Sequence, residues 1–134
     1  MLLILVLTMV CTLLVTGVVA VTSVHLSRMQ LLDVADGAAL AAANALDDTA
    51  YQRGVGDAVP LSDTTVREAA ADYVARRPVP QTMVTWGLGA DSGTPDGELA
   101  VVQMSCVAKV PLVGWLLGDG VTITVASRAR ADLD

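Results

Sequence analysis

The sequence predicts an α+β protein, in which a long N-terminal transmembrane helix is followed by a small domain of one helix and a three-stranded antiparallel sheet. Three observations carry that reading. Residues 1–27 contain no Asp, Glu, Lys or Arg. An alanine-rich stretch with helical spacing follows directly, and beyond Val79 the apolar period changes to two. The chain divides accordingly into a transmembrane helix at 1–27, a membrane-proximal continuation of that helix at 28–48, and a small α+β domain at 49–134.

At a rise of ~1.5 Å per residue, about 20 apolar residues cross a hydrocarbon core of roughly 30 Å. Lipid offers the backbone no hydrogen-bond partners, so a lone apolar segment crosses as a helix. A secretory signal would need a basic leader and an apolar core of only ~7–15 residues. Here no Lys or Arg precedes Arg28, and the helical pattern runs on past the membrane edge. Within the span Thr8, Thr12, Thr16 and Ala20 recur every four residues with Gly17 beside them, which draws a small-residue stripe on one face. Such a stripe suits close packing against another helix in lipid. It equally suits threonine hydroxyls that bond back to the carbonyl one turn earlier. Ser23, His25, Ser27, Arg28 and Gln30 then mark the headgroup zone, with His25 as an interface residue rather than a ligand or base.

Ala35, Ala38, Ala39, Ala42, Ala43 and Leu46 continue the helix with one flat apolar face. Gly37 costs roughly 1 kcal/mol in a helix interior, which predicts close approach by a neighbour there. Unbroken from Met1 to Leu46, the helix is about 70 Å long at ~1.5 Å per residue and needs something to lie against. Asp47 to Ser62, with Gly54, Gly56 and Pro60, is expected as a loop. Val66, Ala69, Ala70, Tyr73 and Val74 then predict an amphipathic helix, capped by Ser62 or Asp63, with a capping box at Thr65 and Glu68 and an end at Arg77-Pro78.

Val79 to Trp86 is expected as the first strand and the turn-rich GLGADSGTPDG as its reversal. Ala100, Val102, Met104, Cys106, Ala108 and Val110 form one face of the clearest strand. A last strand alternates Val121, Ile123, Val125 and Ala129 against Thr122, Thr124, Arg128 and Arg130. Between these two strands lies PLVGWLLGDG, whose Leu112, Val113, Trp115, Leu116 and Leu117 either plug the core beneath the sheet or form an exposed patch for a partner subunit or the membrane surface.

Net charge is −6 and the eight basic residues are scattered, so no stripe exists to follow a phosphate backbone and nucleic acid is not an expected partner. Cys11 and Cys106 fall in the span and in the distal domain, where each is expected as a free thiol. With one histidine and no paired cysteine motifs, no metal or cofactor site is expected, and no nucleotide-binding glycine loop or nucleophile elbow appears. The carboxylate pairs Asp33/Asp36 and Asp47/Asp48 are expected to serve packing or solvation. Catalytic residues and a small-molecule substrate are not expected.

The uncharged span, then SRMQLLDVADGAALAAANAL, then a helix-plus-strands domain closing in VTITVASRARADLD together resemble the TadE/TadG-like minor pilins, or pseudopilins, of the tight-adherence (Flp-type) pilus. Val34 to Ala43 is similar to the alanine-rich AADAAALAAA segment of that family, with Asp36 and Leu40 in the matching places. The resemblance implies a single-pass bacterial plasma-membrane protein, N-terminus inward and C-terminal domain outside, placed in or under a pilus. It implies as partners the other pilin-like subunits, the assembly machinery in the membrane and the lipid bilayer. Leu5 stands where many pilin-like chains carry glutamate, which points to a minor, priming or tip-associated role rather than a major filament subunit.

On this reading the helix packs into a bundle of like helices through Thr8, Thr12, Thr16, Gly17 and Ala20 and through Ala35, Ala38, Ala39, Ala42 and Ala43. Ala39→Glu is then expected to abolish assembly without affecting expression. The alternative is a membrane-tethered extracytoplasmic binding or regulatory domain that acts as a monomer. In that case Ala35 to Ala43 would lie on the chain's own domain.

Overall fold

A 51-residue helix, α1 (Leu2–Gln52), is the spine of the protein. The computed structural model describes residues 1–52, 62–97, 99–118 and 120–130, and among these the side chains of all but 46–52 and 117. At ~1.5 Å per residue α1 is about 75 Å long. It runs past Leu46, where a loop was expected, because Gly54 is the first glycine or proline after Gly37 and nothing earlier stops the hydrogen-bond ladder. Of the expected loop, residues 53–61 lie outside the described residues.

Helix α2 (Asp63–Ala75) starts at Ser62, whose extended backbone turns its side chain to accept from the Thr65 amide at 3.2 Å. Ser62 is thus the cap, one of the two expected, and Thr65 sits inside the first turn rather than opening a box with Glu68. Three strands follow, β1 (Met83–Leu88), β2 (Leu99–Ala108) and β3 (Val121–Arg130), in the order β1-β2-β3 and antiparallel throughout. β1 begins later than the expected Val79, because Pro78 and Pro80 lack donors and the Met83 amide closes a turn onto the Pro80 carbonyl at 3.0 Å. Trp86, Cys106 and Ile123 stand side by side across the sheet.

One face of this sheet meets α1. On β2 the inward residues Ala100, Val102, Met104, Cys106 and Ala108 are buried in strict alternation, as their spacing predicts. They face Leu31, Val34, Ala35, Ala38, Ala39, Ala42 and Ala43 of α1, with Val66, Ala70 and Val74 of α2 closing the cluster. Phe is absent from the chain and the largest fully buried side chains are Leu31, Met83 and Met104, so the core fills by close backbone approach rather than by bulk. Gly37 shows how close: a Cβ there would lie 2.7 Å from Cζ of Tyr73. The neighbour that Gly37 predicts is the ring of α2.

Polar contacts fix α1 lengthwise against the sheet. The Ser23 hydroxyl donates to the Lys109 carbonyl at 3.1 Å, and the fully buried Ser27 hydroxyl reaches the carbonyls of Ser23 at 3.0 Å and Thr82 at 3.3 Å. Thr82 donates to Oε1 of Gln30 at 2.6 Å, and Ser127 donates to the Asp36 carboxylate. Ser23, Ser27 and Gln30, expected among headgroups, thus face the domain. These contacts also set direction: β3 ascends beside α1 in the same sense, with Val121–Thr124 near Ala20–Arg28 and Ser127 at Asp36.

Because Ala39 is completely buried, Ala39→Glu strikes the fold before any assembly surface, in contrast to the expectation from sequence. An unpaired charge at that depth should cost about 3–5 kcal/mol, read as a lowered denaturant midpoint in detergent. Unchanged unfolding would show that the alanine seam is not sealed. Gly37→Leu should cost about 1–3 kcal/mol by overpacking. Combined with Tyr73→Ala it should be less damaging than the sum of the two, with a coupling of at least about 0.5 kcal/mol.

Candidate interaction surfaces

Each polar or small residue singled out in the sequence has a definite place. The Thr8, Thr12 and Thr16 hydroxyls donate to the carbonyls of Ile4, Thr8 and Thr12 at 2.7, 2.8 and 2.8 Å. Of the two readings of the stripe, back-bonding is therefore present. It also leaves the stripe with no unspent donor, so that methyls and backbone form a smooth face. Thr8, Thr12 and Gly17 on that face are exposed, Thr16 and Ala20 half-buried, and nothing lies within 4 Å of a Cβ built at Gly17. The apolar first half of α1 has no cover within the chain and is long and apolar enough to cross a membrane.

The second predicted set, Ala35, Ala38, Ala39, Ala42 and Ala43, is brought together elsewhere. All five are at most 4% exposed, against the sheet and α2 of the same chain. The outward side of this part of α1 carries Asp33, Leu40 and Asn44 instead.

The third set lies in the connection between β2 and β3, part of which forms the short helix α3 (Gly114–Leu117). Leu112, Trp115 and Leu116 are exposed, at 65%, 85% and 70%, and Val113 is half-buried. The loop is not a core plug. The side chain of Leu117 lies outside the described residues.

The remaining polar groups work structurally. Arg67 donates from Nε to the Ser92 carbonyl at 2.7 Å and from a terminal nitrogen to the Ala90 carbonyl at 2.9 Å, strapping the β1–β2 connection to α2. The buried Ser92 hydroxyl exchanges bonds with both backbone groups of Gln103 at 3.1 and 3.0 Å. Arg77 stacks over the Tyr73 ring at 5.2 Å and donates to its hydroxyl at 2.6 Å, while Asp72 and Arg76 pair on the surface. His25 stands exposed on α1, whereas Cys106 is buried in the sheet. Among the described residues no group of three His, Cys, Asp or Glu residues could hold a metal.

Sequence reasoning missed the contacts from Ser23 to Gln30. Their signal was present: Ser23, Ser27 and Leu31 at four-residue intervals carry the alanine face downward towards the membrane. Polarity drew attention to water, whereas position pointed to the sheet.

Residues 1–45 match the family model described as "Putative Flp pilus-assembly TadE/G-like". The match covers the apolar half of α1 and the alanine seam and stops before α2 and the sheet. No curated protein and no solved structure matches the chain.

Burial pushes the Cys106 thiol above its ordinary value of 9.0. Folding then favours the neutral thiol, so its contribution is complete below that value and is lost as pH rises above it. A soluble maleimide should leave Cys106 unmodified at neutral pH until the chain is denatured. Rapid labelling of Cys106 in the native Cys11→Ala protein would contradict its place beneath α1.

Proposed function

We propose that this chain, whose first 45 residues match the TadE/G-like family model, is a minor pilin or pseudopilin of a bacterial Tad/Flp-type pilus. The N-terminus faces inward, the span crosses the plasma membrane once, and the α+β domain stands outside. The observation that supports this best is the division of labour along α1. Its upper half is consumed by the chain's own core, whereas its first half is bare, with Leu5, Leu13 and Val21 at 69%, 63% and 71% exposure. Lipid solvates such a surface as well as protein does, so association there selects for close approach rather than apolarity. The Thr8, Thr12, Thr16, Gly17 and Ala20 face supplies it.

Other pilin-like subunits and the assembly machinery are then met through this span. Ala35 to Ala43 serve assembly indirectly, by holding the domain rigidly on the helix. The burial of those five alanines within the chain also favours a second reading, a membrane-tethered extracytoplasmic domain that works alone, for which a self-contained core suffices.

Crosslinking separates the two. With Cys11 and Cys106 replaced by alanine, single cysteines walked from Leu5 to Ala20 in the native host should crosslink to other pilin-like subunits, with maxima at 8, 12, 16 and 20. Gly17→Leu should reduce the yield several-fold, since small residues are what let helix backbones approach closely in lipid. An absence of intermolecular products along the whole span would favour the monomer.

A further inference from the structure

We infer that the Leu112–Leu116 loop is a second membrane contact, which dips into the outer leaflet beside the span and seats the sheet domain on the bilayer. This rests on the reading of α1 as a membrane span and adds to it an element remote in sequence. The bare apolar surface of α1 ends at Val21 and contact with the domain begins at Ser23, which puts the far edge of a hydrocarbon core that takes about 20 residues near Val21. The lower end of the sheet is fixed at that height. Ser23 holds the Lys109 carbonyl at 3.1 Å, and Val121–Thr124 lie along Ala20–Arg28. Ala108 and Val121 are the last pair of the β2–β3 ladder, and β3 ascends alongside α1. The chain joining them must therefore project below that pair, towards the N-terminal half of α1 and past the edge of the hydrocarbon.

What projects there suits lipid. Leu112, Trp115 and Leu116 are its most exposed side chains, at 65–85%. Indole rings concentrate at this depth in membranes, and apolar faces of interfacial segments bury ~5–10 Å into the headgroup–acyl boundary. Two of the loop's donors are also spent internally, which suits irregular backbone near lipid. Trp115 Nε1 donates to the Leu112 carbonyl at 3.2 Å, and the Leu116 amide to that of Val113 at 2.9 Å. Leu112 adopts φ 70°, a left-handed conformation that a leucine rarely takes, on the residue whose carbonyl receives the indole. Above the loop His25, Arg28 and Lys109 are exposed at phosphate height.

A second copy of the chain fits less well. Outside α1 and this loop, the described large apolar side chains that are exposed are Val79 and Val84, and neither makes a matching patch. The bilayer is continuous with the bare surface of the span.

The test uses the full chain in phosphatidylethanolamine/phosphatidylglycerol vesicles whose acyl chains are brominated near the headgroup. A polarity-sensitive dye on Cys11 reports the span independently. The emission lost on Trp115→Phe isolates the Trp115 signal without disturbing Trp86. That signal should be blue-shifted and mostly quenched by the brominated lipid, and Leu112→Asp with Leu116→Asp should return it to an unquenched, water-like spectrum. Water-like Trp115 emission with the dye in hydrocarbon would overturn the loop contact and spare the span. Blue-shifted but unquenched emission that grows with protein density would also overturn it, in favour of a neighbouring subunit. A dye in water would remove the span reading and this inference together.

Discussion

The close approach of α1 to the sheet is the constraint on which the rest depends. Alanine at positions 35, 38, 39, 42 and 43 removes the bulk that would hold the helix off, and Ala100 of β2 does the same from the other side. A seam of this kind gains little from each side chain, because transfer free energy scales with the apolar area removed from water. It depends on uninterrupted contact, so a single bulky or charged intruder is costly while the individual alanines look unremarkable. The same closeness explains why Tyr73 lies on a glycine and why the core needs no phenylalanine.

Two environments act on one helix. Below Ala20 the large apolar side chains of α1 are exposed, in a segment long and apolar enough to cross a membrane. Above Ser23 the helix is an ordinary core element, with an apolar seam and a set of polar contacts along it. The change takes place within one turn. Because α1 continues without a break through it, the domain cannot swivel on the anchor as a bead on a flexible tether would.

The architecture was legible in the sequence wherever periodicity was strong. The uncharged span, the second helix and the alternation of β2 and β3 all follow from spacing, and so does the close neighbour of Gly37. Boundaries were less legible, because β1 yields its first residues to the two prolines and α1 overruns Leu46 for want of a breaker. The surfaces were hardest. An alanine face has the same spacing whether it meets its own sheet or another subunit, and only the path of the later strands decides between them. Likewise the hydrophobicity of Leu112–Leu116 could not reveal its exposure, which depends on the loop leaving the sheet at the end nearer the bare half of α1.

The run of hydrogen bonds from Ser23 to Asp36 has a mechanical consequence. With the sheet clamped to α1 at several heights, axial displacement of the helix is transmitted undiminished, each residue of travel raising the domain by ~1.5 Å. Rotation of the helix about its axis is transmitted as well. Helix and domain thus move as one body, so that any withdrawal of the shaft lifts the head by the same distance.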